Sequence, residues 1–115
     1  MKILYVENNA RFAAIACSCF LTEHEVTVVP RLAQARQALA RETVDLVLLD
    51  QDLDDGKGAE LAAELNGLPN RPLILAASSH TAGNNALLRA GADGVCAKPD
   101  FARVGRAIAD LPWKP

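Results

Sequence analysis

Two carboxylates, an amide and a lysine are placed to do chemistry in this chain, because each directly follows an apolar run. Glu7 and Asn8 follow Lys2 to Val6, Asp50 follows Val44 to Leu49, and Lys98 follows Asp93 to Ala97. Nothing close to Asp50 in sequence neutralises its carboxylate, which leaves that task to a metal ion or a basic side chain. A carboxylate is ionised at pH 7 and acts as a nucleophile without a separate base. Lys98 offers the ammonium that can pair with it. Pro99 restricts the Lys98 backbone to extended or turn conformations, and Ala97 and Phe101 suggest a partly enclosed turn. Ala77 and Ser78 end a fourth apolar run that starts at Pro72. The other polar residues read as background. Asp52, Asp54 and Asp55 make a solvated acidic turn around Gly56, His80 an exposed loop residue, and Arg31, Arg36 and Arg41 a set spread around a helix.

These residues meet only if the intervening elements bring them to one edge, and the alternation of the chain does so. Lys2 to Val6 predicts a strand, and Asn8 or Asn9 can cap a helix whose apolar face runs through Phe12, Ile15, Cys19 and Phe20. Glu25 to Val29 is a second strand, followed by an amphipathic helix over Leu32 to Glu42. Val44 to Leu49 is apolar enough for a central strand buried on both faces, and the acidic turn after it leads into a helix over Ala59 to Asn66. Pro72 to Ala77 is the fourth strand, Asn84 to Ala90 a helix stopped by Gly91, and Asp93 to Ala97 the fifth strand. Asp100 is expected to cap a last helix to about Leu111. Regular alternation without a hairpin signal between strands calls for an α/β fold with a five-stranded parallel sheet, doubly wound by right-handed crossovers. Polar ligands of such sheets sit outside the carboxyl ends of the strands, where Glu7, Asn8, Asp50, Ala77, Ser78 and Lys98 fall.

Composition narrows the class further. A chain of 115 residues, half of them hydrophobic and 23% charged, is long enough for one domain with its own core. The expected division is a domain over residues 1–112 and a C-terminal tail over 113–115. A formal charge of −2 gives no broad attraction to nucleic acid or acidic membranes. The longest apolar run, Phe12 to Leu21, suits a buried helix and is too short to span a bilayer. Three cysteines, Cys17, Cys19 and Cys96, have no framework spacing, which fits a cytoplasmic setting and a role as small buried hydrophobes.

The same residues carry a family resemblance. ILYVENN resembles the first strand and acidic pair of the receiver domains of two-component response regulators, LVLLDQDLDDGKG their phosphoacceptor loop, and GADGVCAKPDF their lysine-proline segment. The resemblance covers essentially the whole chain and implies the flavodoxin-like receiver fold. It implies Asp50 as phosphoacceptor, forming an acyl phosphate, with Lys98 and Ser78 contacting the phosphoryl group. It also implies Mg²⁺ held by Glu7, Asn8, Asp50 and the backbone carbonyl of Asp52. Asn8 departs from the family pattern, since an amide stands where the second carboxylate is usual, and weakens the expected Mg²⁺ site. Ala77 falls on the position of the family's signalling hydroxyl and Val95 on that of its switch aromatic, so both halves of the usual readout are altered.

The reading that follows is a stand-alone or truncated receiver-like domain. It takes a phosphoryl group from a histidine kinase or phosphotransfer protein and signals to a downstream protein by contact, with a homodimer among the assemblies it allows. It is no enzyme beyond Mg²⁺-dependent self-phosphorylation from small donors and self-dephosphorylation. Direct nucleic-acid or membrane binding is not expected. Asn8, Ala77 and Val95 favour one alternative, a pseudo-receiver that binds protein without phosphorylation. A flavodoxin-like small-molecule or nucleotide binder is disfavoured, because the turn from Glu7 to Arg11 lacks a Gly-rich phosphate cradle.

Overall fold

A computed structural model describes residues 1–115. The five strands are β1 (Lys2–Val6), β2 (Glu25–Val29), β3 (Leu46–Leu49), β4 (Leu73–Ala76) and β5 (Gly94–Val95). The helices are α1 (Ala10–Phe20), α2 (Leu32–Arg41), α3 (Gly58–Asn66), α4 (Thr81–Ala90) and α5 (Val104–Ala109), with a 3₁₀ segment over Lys98–Arg103 before the last. The strands form one sheet in the order β2-β1-β3-β4-β5, and every pairing is parallel. The expected doubly wound α/β sheet is therefore present, and its strand order reverses beside β1 and β3.

Strand periodicity divides the core into two layers. Ile3, Tyr5, Leu46, Leu48, Leu75 and Ala77 face the layer of α1 and α5, where they meet Ala13, Ala16, Phe101, Val104 and Ile108. Leu4, Val6, Val47, Leu49, Ile74 and Ala76 face the opposite layer, with Leu32, Ala35, Leu61, Leu65 and Leu87 of α2, α3 and α4. Both faces of β3 are buried, which its unbroken apolar run requires.

Several local expectations are corrected. The buried stripe of α1 is Ala13 and Ala16, flanked by half-buried Phe12 and Cys17, whereas Ile15 is 51% exposed and Cys19 and Phe20 are exposed. Small alanines let the helix approach the sheet closely, so its larger apolar residues are left on the flanks. Cys19 is accordingly not a buried hydrophobe, while Cys96 is. Helix α4 starts at Thr81 rather than Asn84. Asn84 is buried there, and its carboxamide accepts from the Ser78 amide at 2.9 Å and donates to the Ser78 carbonyl at 3.1 Å. Those two bonds override the poor helix propensity of Gly83 and Asn84. Asp100 caps no helix, since it lies inside the 3₁₀ segment and Arg103 precedes α5 without a side-chain bond. Beyond α5, Trp113 folds back on the first layer, donating from its indole to the Ile108 carbonyl at 2.7 Å.

Two contacts fix the strands that carry the site. Arg71, before β4, grips Asp93, before β5, through two bonds of 2.9 and 3.0 Å, and Asp93 also accepts from the Ile74 amide at 2.8 Å. Burial acts to raise the Asp93 carboxyl, but Arg71 and the Ile74 amide outweigh it and hold that carboxyl below its ordinary range. At the other end of the sheet, a Cβ on Gly58 would run into the Asp50 carbonyl oxygen, so only glycine lets α3 begin against that strand end.

Asp93→Asn should cost about 1–3 kcal/mol in urea unfolding, because a half-buried guanidinium loses its charged partner. A lowered carboxyl stabilises above its unfolded value of about 3.9 and ceases to do so as pH falls through the folded value, so the gap between wild type and variant should close below about pH 4. A gap unchanged at acid pH would show that the ion pair is not its source. Gly58→Ala should cost about 1–3 kcal/mol by overpacking and shift the Asp50 and Gln51 amide resonances; a neutral substitution would mean that α3 starts further from β3.

Candidate functional site

The site lies at the carboxyl ends of β1 and β3, with Lys98 entering from the turn after β5. Glu7 is 1% and Asp50 5% exposed. Each is tied to the sheet by its amide, Glu7 to the Val29 carbonyl at 3.0 Å and Asp50 to the Val6 carbonyl at 3.1 Å. The Lys98 ammonium bridges them, 2.6 Å from Glu7 Oε1 and 3.1 Å from Asp50 Oδ2, and its side chain is only 16% exposed. The remaining carboxylate oxygens take backbone donors. Glu7 Oε2 accepts from the Asn9 amide at 2.9 Å, and Asp50 Oδ1 from the Gln51 amide at 2.8 Å. The Lys98 ammonium also lies 5.3 Å from the centre of the Phe12 ring, a cation–π contact.

Burial and charge oppose each other here. Burial pushes the Glu7 carboxyl up from the ordinary glutamate range, against the pull of the Lys98 ammonium and the Asn9 amide, and the Asp50 charge adds to the rise. Burial works against the Lys98 ammonium, but the two carboxylates outweigh it and hold that group above the ordinary lysine range. The result is a buried cation shared by two anions, one of them at the strand end where a nucleophile is wanted. Asp50 can attack an electrophilic phosphorus, and the ammonium beside it can neutralise the oxygens of the incoming group.

The structure thus brings Glu7, Asp50 and Lys98 together and places the other expected residues elsewhere. Asn8 is exposed and its carboxamide donates to Asp54 Oδ1 at 3.3 Å, while the capping task falls to Asn9, which accepts from the Phe12 amide at 3.0 Å. The Asp52 side chain bonds Lys57, leaving its backbone carbonyl as the atom available to the site. Ser78 is buried, and its hydroxyl accepts from the His80 amide at 3.2 Å and lies against Gly83. Accepting that bond in the turn into α4 leaves the hydroxyl hydrogen free, so the contact between Ser78 and a phosphoryl group stays an expectation. Ala77 is fully buried in the core layer of α1 and α5, and Val95 stands 38% exposed on the edge strand β5.

Four contributions were not read from the sequence. The acidic turn is a small hairpin in which Asp52–Leu53 pairs antiparallel with Gly56–Lys57. Its Asp55 caps α2 by accepting from the Leu32 and Ala33 amides at 2.8 and 3.0 Å. Gln51 caps α3 through the Ala59 amide at 2.8 Å. Tyr5, which looked like one more strand residue, lies buried beneath the site with an unpartnered hydroxyl. The Asp-Asp-Gly triplet was the available signal for the hairpin; the other three depend on tertiary placement.

As a divalent-ion site the arrangement fits in kind and poorly in charge. Glu7, Asp50, the Asn8 amide oxygen and the Asp52 carbonyl are hard oxygen donors suited to Mg²⁺. No three acidic, histidine or cysteine groups converge, however, and Lys98 already neutralises half of the carboxylate charge.

Comparison with known proteins agrees with this geometry. The chain matches the response regulator receiver domain over residues 3–109. It is 35% identical over 78 residues to the transcriptional regulatory protein RstA of Escherichia coli K12, a match covering 66% of this chain and 32% of that protein, so the chain spans about a third of that relative. Among solved structures it resembles the BeF3-activated N-terminal receiver domain of Klebsiella pneumoniae RstA, with 29% identity, a TM-score of 0.80, and 98% and 100% of the two chains covered. It also resembles the receiver domain of the Pseudomonas aeruginosa sensor histidine kinase PA1611, solved with a magnesium ion in the active site cleft, at 25% identity, a TM-score of 0.84, and 96% and 95% coverage. With its sheet order, its Asp50–Lys98 pair and a match over nearly its whole length, the chain belongs to the response regulator receiver domain family.

Proposed function

We propose that this signalling domain accepts a phosphoryl group on Asp50 from the phosphohistidine of a histidine kinase or phosphotransfer protein. The observation that carries this reading is the Lys98 ammonium, 3.1 Å from Asp50 at a buried strand end. In the transfer an Asp50 carboxylate oxygen attacks phosphorus, the P–N bond to the donor imidazole breaks, and the imidazole leaves with its electron pair and takes up a proton. Lys98 keeps one contact with the acceptor and gives another to a phosphoryl oxygen. Mg²⁺, when bound by Glu7, Asp50, Asn8 and the Asp52 carbonyl, would offset the negative charge of donor and acceptor. The magnesium ion in the Pseudomonas structure and the BeF3-activated state of the Klebsiella domain support this reading. The signal then passes by protein contact, in a compartment where histidine kinases act on soluble domains. No helix of the chain is long and apolar enough to cross a membrane.

One set of observations favours a second reading, a pseudo-receiver that binds protein without phosphorylation. Asn8 is exposed and bonded to Asp54 of the hairpin, and Ala77 offers no hydroxyl. The first reading is preferred because the Lys98 ammonium lies 3.1 Å from a buried Asp50 carboxylate at the strand end.

Incubation with acetyl phosphate and Mg²⁺ should add one phosphoryl group, labile to hydroxylamine and visible by intact mass, and Asp50→Asn should abolish it. Equal labelling of Asp50→Asn would remove Asp50 as the acceptor. No labelling of the wild type, from acetyl phosphate or from a phosphorylated histidine donor, would favour the pseudo-receiver.

Asn8→Asp should tighten Mg²⁺ binding about tenfold, or about 1–2 kcal/mol, after desolvation and repulsion offset most of the added Coulomb attraction. The metal-free variant should be less stable, because a carboxylate at position 8 faces Asp54 and can no longer donate to it. Calorimetric titration together with urea unfolding measures both, and unchanged Mg²⁺ affinity would show that residue 8 stays outside the metal's coordination sphere.

A further inference from the structure

One buried side-chain atom of this protein, the Tyr5 hydroxyl, has no hydrogen-bond partner, and another, Glu7 Oε1, has only the Lys98 ammonium at 2.6 Å. The first is a donor without an acceptor and the second an acceptor with a single, shared donor. Two positions apart along β1 and its end, they fall on the same side of an extended chain. Phenylalanine at position 5 would fill the same space without leaving a hydroxyl unsatisfied, so the hydroxyl carries a cost in this state of the protein. Burial raises the phenol well above its ordinary range, and the charges of Glu7 and Asp50 raise it further, so the group is a neutral donor.

Glu7 Oε1 is served only by the Lys98 ammonium, which Asp50 shares. A phosphoryl group on Asp50 adds negative charge and three acceptor oxygens, and it competes for that ammonium. Any shift of Lys98 toward the phosphoryl group takes from Glu7 Oε1 the one protein donor it has. Tyr5 holds the buried hydroxyl free to answer. Its ring also stacks on Phe101, with centroids 6.0 Å apart, and Phe101 meets Phe12 edge-on at 5.4 Å beneath Lys98. The two residues that depart from the family's readout leave a gap that this cluster can fill, since Ala77 has no hydroxyl and Val95 no ring.

We propose that Tyr5 is a positioning residue of the Asp50 site: when Asp50 is phosphorylated and draws Lys98 away, the Tyr5 hydroxyl donates to Glu7 Oε1, and the stacked Phe101 carries that change into the 3₁₀ segment and α5. The inference rests on Asp50 being the acceptor. It assigns to β1 and the aromatic layer the readout that Ala77 and Val95 cannot supply.

Tyr5 is the only tyrosine of the chain, so tyrosine labelled with ¹³C at Cζ gives one resonance. The full chain is titrated with beryllofluoride and Mg²⁺, and the Asp50, Gln51 and Lys98 amides report whether the acceptor is loaded. On loading, the Cζ resonance should move and the hydroxyl proton should exchange about tenfold more slowly, as expected for a hydroxyl that gains an acceptor. In Tyr5→Phe the site amides should still respond, while the shifts from Phe101 to Val104 should fall by about half or more. Loading with unchanged Cζ shift and hydroxyl exchange would overturn the proposal without any substitution. So would full shifts in the 3₁₀ segment of Tyr5→Phe. Absence of loading, with site amides unmoved at saturating beryllofluoride and Mg²⁺, would instead remove the phosphoacceptor reading and this inference with it.

Discussion

The arrangement at the sheet edge depends on one shared cation. Glu7 and Asp50 end adjacent parallel strands, and both are buried, so without Lys98 their charges would face each other in a medium that screens them poorly. The ammonium relieves that repulsion and in doing so fixes the segment it comes from. Lys98 donates its amide to the Ser78 carbonyl at 3.2 Å, which ties the start of the 3₁₀ segment to the loop after β4. Asn84 holds the same loop from α4. The end of β1, the end of β3, the loop after β4 and the turn after β5 therefore converge on a small polar centre above two apolar layers.

The layered core below is what makes such a centre affordable. Parallel strands joined by helical crossovers leave their carboxyl ends open at one edge, and alternating side chains of β1, β3 and β4 fill both layers. This much was legible from the order of apolar runs and caps, because periodicity and burial act on long segments. The pairing of Lys98 with Asp50 was legible too, since both follow a strand, whereas the sharing of that ammonium with Glu7 was not. The buried face of α1 was not. Ile15, Cys19 and Phe20 looked like core, but backbone proximity to the sheet selects Ala13 and Ala16, a choice made by tertiary packing rather than by hydrophobicity. The partner that the Ser78 hydroxyl takes, the His80 amide, was not legible either, because a sequence does not rank partners by distance.

The acidic hairpin shows how a substitution at the site is absorbed nearby. Asp54 accepts from Asn8 and approaches Arg31 at 3.9 Å, Asp55 caps α2, and Asp52 pairs with Lys57. Every acid of the turn thus has a donor. Asn8 takes part because an amide has hydrogens to give, which a carboxylate lacks. Loss of the second acid and gain of the hairpin contact are one change seen from two sides. It ties residue 8 to the hairpin that follows Asp50.

Charge balance then sets which state the site prefers. With two carboxylates and one ammonium, the buried centre carries one net negative charge. A divalent cation alone would reverse that sign and leave one positive charge in excess, which a low-dielectric pocket disfavours. A phosphoryl group alone would deepen the negative charge by about one unit near pH 7. Only with both present do the charges cancel. In a site with a third carboxylate the metal-only state would already be neutral, so replacing that acid by Asn8 shifts the neutral state to the one with both groups bound. The same substitution that weakens the resting metal site would thus leave only the doubly loaded state without net charge.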